Sequence, residues 1–179
     1  TAGSPAADAV FASNDSADPS RHPKLTIVYD CECGAGTFMS YTIQPGIAGG
    51  KDTQIMSALP SSNVGANEKV SVEAYDEDHW LQEFDVGDLP AGAAINRASL
   101  SLFMESAPGA AVPGNVAMHR LQQAWTEGTG TDMAPTADGA TWNTADGTTP
   151  WAPGAPFDAA ALDIVAVSNT PGWYTWDVT

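Results

Sequence analysis

Apolar and polar residues alternate in short runs along this chain, and Gly, Pro, Asn and Asp punctuate the gaps. The run Ser99–Leu100–Ser101–Leu102–Phe103–Met104–Glu105 keeps period two until its end. Leu100 and Leu102 should therefore face one side of a strand. Val70 and Val72 do the same within 69–75. In 80–86, Trp80, Phe84 and Val86 share a face with one polar exception, Gln82, which fits a sheet rim. The pattern predicts strands at 9–13, 24–30, 37–44, 53–57, 69–75, 79–86, 96–105 and 115–122. Weaker ones follow at 141–143, 164–167 and 173–178. No stretch offers a long amphipathic helix. A single turn near 159–162, capped by Asp158, is the one helical candidate. Many short strands with turn signals between them predict an all-β fold, a jelly-roll-like antiparallel β-sandwich with long loops.

The order of these runs is unusual. The Pro-punctuated, β-branched run 21–30 has the look of a terminal strand, yet it stands near the front. The last seven residues read like a strand that more chain should follow. Thr1 is not an initiator Met, so the expectation is a processed, trimmed or partial chain. Three units are expected: a closing-strand segment 1–30, a strand and linker 31–50, and a body 51–179. The stretch 128–158 is rich in Thr, Gly, Asp, Ala and Pro and has no clear periodicity. Structureless stretches of that length are uncommon inside domains and often functional.

Charge narrows the partners. Six Lys and Arg stand against 22 Asp and Glu, a formal charge of −16. Such a chain is a poor ligand for nucleic acid or anionic membranes. It suits cation binding or a saline, extracellular habitat. With 43% hydrophobic residues and six Trp there is material for a core, which argues against disorder. No apolar run approaches the ~20 residues of a membrane span. Cys31 and Cys33 are too close to staple a fold. They fit a local disulfide or free thiols, bridges to another chain, or least well a metal site, since the second ligand pair is missing.

Seven motifs occur in an order that resembles the disaggregatase-related β-sandwich domain, DNRLRE. Lys51–Asp52–Thr53–Gln54–Ile55 resembles its "D-T-x-I" strand, and Asn63–Val64–Gly65 its "N-x-G" turn. The run 80–86 followed by Leu89–Pro90–Ala91–Gly92–Ala93 resembles "L-x-x-F-D-L…L-P-A-G-A". Ala98–Ser99–Leu100–Ser101–Leu102 matches "A-x-L-x-L". Trp125–Thr126–Glu127, Thr141–Trp142–Asn143 and Trp176–Asp177–Val178–Thr179 match "W-T-E", "T-W-N" and "W-D-V-T". The family's closing "R-P-x-L-x-V-x-Y" strand is carried at the front, as Pro23–Lys24–Leu25–Thr26–Ile27–Val28–Tyr29, and its middle piece is missing. The resemblance implies that the front segment completes a neighbour's sandwich, folds back as a permutation, or belongs to a tandem array. A missing inner strand leaves an unpaired groove, which strand addition fills. Lys24, Leu25, Thr26, Ile27, Val28 and Tyr29 are then the assembly strand, and a head-to-tail contact that does not close makes a filament.

Candidate chemistry is sparse. Asp76, Glu77 and Asp78 form an acidic run that fits either a solvated hairpin or a structural Ca²⁺ site, as do Asp132, Asp138 and Asp146. Trp142 and Trp176 read as core. Trp151, flanked by Pro150 and Pro153, is the better candidate for an exposed sugar platform. Some members of the resembling family bind acidic glycans, but Lys51, Lys69, Arg97 and Arg120 look too dispersed to offset the chain's charge. His22, His79 and His119 share no ligand spacing, and no nucleophile elbow, phosphate loop or His-Glu metal helix is present. The expected function is non-catalytic and extracellular or cell-surface, without a certain cofactor. The first expectation is a filament unit whose partners are copies of itself. The alternative is a carbohydrate-binding module beside a polysaccharide-active enzyme.

Overall fold

A computed structural model describes residues 8–30, 38–46, 49–73, 77–107, 114–131, 135–152 and 156–179. The described strands are β1 (Asp8–Ala12), β2 (Lys24–Asp30), β3 (Phe38–Ile43), β4 (Gly50–Ile55), β5 (Lys69–Glu73), β6 (His79–Phe84), β7 (Ala94–Ser106), β8 (Gly114–Met118), β9 (Asp163–Val167) and β10 (Gly172–Asp177). All their pairings are antiparallel. The fold is an all-β sandwich. One layer is a six-stranded sheet, and the other is made of two ribbons, β4–β6 and β8–β9.

Strand β7 organises the large sheet. Its 13 residues span about 40 Å, enough for two short strands laid end to end on one edge. β2 pairs with its first part, with Lys24 opposite Ser101, and β1 pairs with its last part at Met104 and Ser106. β10 takes the opposite edge, with Gly172 opposite Met104 and Asp177 opposite Ser99. β5 then lies outside β1, and β3 outside β2.

The closing-strand segment is therefore part of its own body. Leu25, Thr26, Ile27, Val28 and Tyr29 pair on both sides within this chain, with β3 and with β7, and Lys24 pairs with β7 alone. Within this chain the segment folds back onto its own body. Between β1 and β2 the chain leaves β7 in an excursion over 13–23 and makes one 3₁₀ turn, Pro19–Arg21. Pro19 presets that turn, and the Asp18 carboxylate caps it by accepting from the Ser20 N–H at 3.0 Å.

Alternation places the core. Phe11, Leu100, Leu102, Met104 and Trp176 fill the inner face of the large sheet, and Val116 and Val167 come from the ribbon above. Trp176 is fully buried and ties the layers by donating its indole N–H to the Val116 carbonyl at 2.9 Å. β6 contacts a core on each face. Trp80 and Phe84 pack on this core, while Leu81 joins a second one with Ile55, Trp125, Ala140 and Ala145. The expected turn at 159–162 and strand at 141–143 do not form; bends and loop occupy both places. At 141–144 the Thr141 hydroxyl instead accepts from the Asn143 and Thr144 N–H groups.

Candidate functional site

The outward face of the large sheet carries the densest unexplained chemistry. Along β7, Ala98, Leu100, Leu102 and Met104 point into the core, so Arg97, Ser99, Ser101, Phe103 and Glu105 point out. Register then sets their neighbours. Trp173 lies opposite Phe103, with ring centroids 5.4 Å apart and edge to face. The Arg21 guanidinium stacks 4.8 Å from the Phe103 centroid, and the Lys24 ammonium lies 3.8 Å from the Trp173 centroid. One residue pair further along, Ser101 and Thr175 share a hydrogen bond of 2.8 Å. Thr26 and Thr42 share another of 3.1 Å. The face thus runs from an aromatic, cationic end to a row of hydroxyls.

Glu105 sets the charge balance at the aromatic end. It accepts from Arg21 at 3.2 Å and pairs with Lys69 at 2.6 Å. Burial alone would raise its carboxyl pKa, but Lys69 and Arg21 together outweigh that and hold it below its ordinary range. Lys24 makes no ion pair among the described residues. Four of the six cationic side chains, Arg21, Lys24, Lys69 and Arg97, therefore serve this one sheet. The expectation of dispersal concerned Lys51, Lys69, Arg97 and Arg120, of which Lys69 and Arg97 lie on this sheet. The excursion and the β1–β5 pairing bring Arg21, Lys24 and Lys69 to the Phe103–Glu105 end of the face, while Arg97 lies about 20 Å down β7.

The other expected sites resolve differently. Trp151 is half-buried rather than a free platform: it packs against the second core and donates its indole N–H to the Thr141 carbonyl at 2.9 Å. The exposed tryptophan is Trp173, at 39%. Asp76 lies outside the described residues, as do Cys31, Cys33 and Asp132. Asp78 is buried. Its carboxylate accepts from Gln54 Nε2 at 2.7 Å, and its backbone pairs with Glu73 to close the hairpin. Glu77 takes the turn's left-handed position, with φ of 52°. Of that acidic run, Asp78 thus serves to close the hairpin, with its carboxylate taken up by Gln54. Asp146 is used up by its own turn, accepting from the N–H groups of Thr149 at 2.6 Å and Thr148 at 2.9 Å. Those bonds lower its pKa. Asp138 likewise accepts from the Thr129 N–H and hydroxyl. His22 bridges the carbonyls of Pro45 and Ser16, and His79 packs on Trp142 and Phe157.

One hub was missed. Asn63 is fully buried, and its side chain makes four hydrogen bonds. Nδ2 donates to the carbonyls of Glu127 at 2.6 Å and Ala140 at 2.8 Å. Oδ1 accepts from Gly130 N at 3.0 Å and Gly65 N at 3.2 Å. It anchors the long irregular stretch to the turn before β5. Asn63, Gly65 and Glu127 all belong to the motifs that carry the DNRLRE resemblance, so those motifs mark polar joints as well as strands. No family model, curated protein or solved structure matches this chain.

Proposed function

We propose that this chain is a non-catalytic β-sandwich module of an extracellular or cell-surface protein, and that it holds a carboxylated polysaccharide on the outer face of its large sheet. The observation that carries this reading is the Lys24–Trp173–Phe103–Arg21 stack. Tryptophan and phenylalanine rings stack on the apolar faces of sugars, and a sheet row of Ser and Thr meets their hydroxyls. A ligand carboxylate pairs with the Lys24 ammonium and draws it off the Trp173 ring, which opens the ring to the sugar. Gathering Arg21, Lys24 and Lys69 at one end of the sheet lets a chain of −16 accept an acidic polymer locally. The motif resemblance to DNRLRE domains agrees with this reading. Strand sharing in a filament is less well supported, because β2 already pairs on both edges within its own chain.

Affinity electrophoresis through gels containing polygalacturonate, alginate or neutral cellulose derivatives tests the proposal. The wild-type chain should be retarded by at least one polyuronate. Trp173→Ala and Lys24→Ala should each weaken binding about tenfold with an unchanged circular dichroism spectrum. Trp151→Phe should bind like wild type. Equal retardation of Trp173→Ala and wild type, or none by any polyuronate, would overturn it.

A further inference from the structure

On the far side of the excursion over 13–23, three carboxylates from distant parts of the chain converge. Asp15 lies in the excursion, Asp52 in β4, and Glu127 in the segment that Asn63 anchors. Each offers an oxygen within 4.8 Å of the other two. Main-chain bonds fix the arrangement: the Asn14 N–H donates to Asp52 Oδ2 at 2.8 Å, and the Asp52 N–H to Glu127 Oε1 at 2.6 Å. Three like charges so close repel unless something positive lies between them. The neighbouring cations are engaged elsewhere. Lys51 donates to the Trp125 carbonyl at 2.7 Å and pairs with Glu83 at 3.0 Å, and both ring nitrogens of His22 face backbone carbonyls.

A second observation points to a ligand. Asp52 is 1% exposed, and its Oδ1 has no hydrogen-bond partner among the described residues. Asn14, also 1% exposed and held against the same carboxylate by its N–H, has neither side-chain Oδ1 nor Nδ2 satisfied. Buried polar atoms are ordinarily paired, and orphans of this kind mark an unfilled demand. We propose that Asp15, Asp52 and Glu127 form a binding site for a hard divalent cation, calcium above all. All the donors are oxygens, without the nitrogen or sulfur that zinc favours. Calcium accepts about six to eight oxygens in flexible geometry and is commonly held by several protein carboxylates, whereas magnesium demands a near-ideal octahedron and keeps several of its waters, so three converging carboxylates favour calcium. Glu127 also lines an open hollow of about 460 Å3 with Lys51, Thr129 and Asp138, which supplies an entry path. The ion acts as a staple that pins the excursion between β1 and β2 to β4 and to the long irregular stretch. It is a separate site from the outer sheet face.

Thermal melts of chelator-treated protein with calcium, magnesium or neither test this assignment. Calcium at about 100 times its Kd should raise Tm by roughly 5–10 °C, and magnesium at equal concentration by less. Asp52→Asn should lose that response while melting at or above calcium-free wild type at pH 8, so misfolding is not mistaken for lost binding. Asp146→Asn, remote from the site, should respond like wild type. The proposal fails if calcium leaves wild type unshifted, if Asp52→Asn responds fully, or if Asp146→Asn loses the response to the same degree as Asp52→Asn.

Discussion

Replacing Asn63 with alanine is expected to lower stability by about 3–5 kcal/mol, near the top of what one substitution does. The side chain is at its full complement of four hydrogen bonds, and none of its partners has an obvious substitute. Removing it strands two carbonyls and two N–H groups in a buried joint, each at about 1–3 kcal/mol, offset in part by water entering from the nearby surface. The surroundings cannot close over the gap. A Cβ on Gly139 would stand 2.4 Å from Asn63 Nδ2, and one on Gly65 would stand 2.2 Å from the Glu127 carbonyl. These glycines permit close backbone approach, so the joint is already packed to contact. Asn63→Asp should fare no better, because an oxygen would then face the Glu127 and Ala140 carbonyls. Urea unfolding measures the effect: the midpoint should drop with the slope unchanged. A drop under 1 kcal/mol would mean that Asn63 is not the joint's anchor.

That joint explains which parts of the fold were legible beforehand. Runs whose partners lie on a flat sheet, such as 99–105 or 24–30, announce themselves by alternation, and the structure places both as strands. The 128–158 stretch has no such period. Its order comes from Asn63 and from Trp125, Ala140 and Ala145 in the second core, which are contacts made one at a time across the chain. β4 begins three residues before the expected 53–57 because its opening residues, Gly50, Lys51 and Asp52, are glycine or charged, and buried Asp52 escapes any hydrophobic count. The acidic run 76–78 drew attention because its charges are adjacent in sequence. Asp78 spends its carboxylate on Gln54, whereas Asp15, Asp52 and Glu127 meet because three separate segments cross. Likewise Trp151 stood out for its flanking prolines, and Trp173 acquired its partners only through register with β7.

In the absence of divalent cations, the protein is expected to lose stability as pH rises from about 6.5 to 8. Asp52 decides the sign. Burial pushes its carboxyl up to about 8; the Asn14 N–H opposes this, and the charges of Glu127 and Asp15 add to it. Burial raises Asp15 and Glu127 as well, with His22 and Lys51 as the weaker opposing charges. Between the ordinary carboxylate value and about 8, the folded state therefore binds more protons than the unfolded state. Stability must fall with rising pH across that window. It is fully present below the unfolded value and gone once pH passes the folded one. Between pH 6.5 and 8 the loss from Asp52 should be on the order of 1–2 kcal/mol, since each proton is worth about 1.4 kcal/mol per pH unit. Other groups act in the opposite sense but elsewhere. His79, lowered chiefly by burial, costs stability as pH falls below about 6.5. Asp146 and Asp138, lowered by hydrogen bonds, do so only below about pH 4. The window from 6.5 to 8 thus isolates the acidic centre. Melts in chelator should show Tm falling across it, Asp52→Asn should flatten the slope, and calcium should restore the wild-type Tm most strongly at the alkaline end. A wild-type Tm that is level or rising from pH 6.5 to 8 would show that the three carboxylates do not crowd one another in solution as they do here.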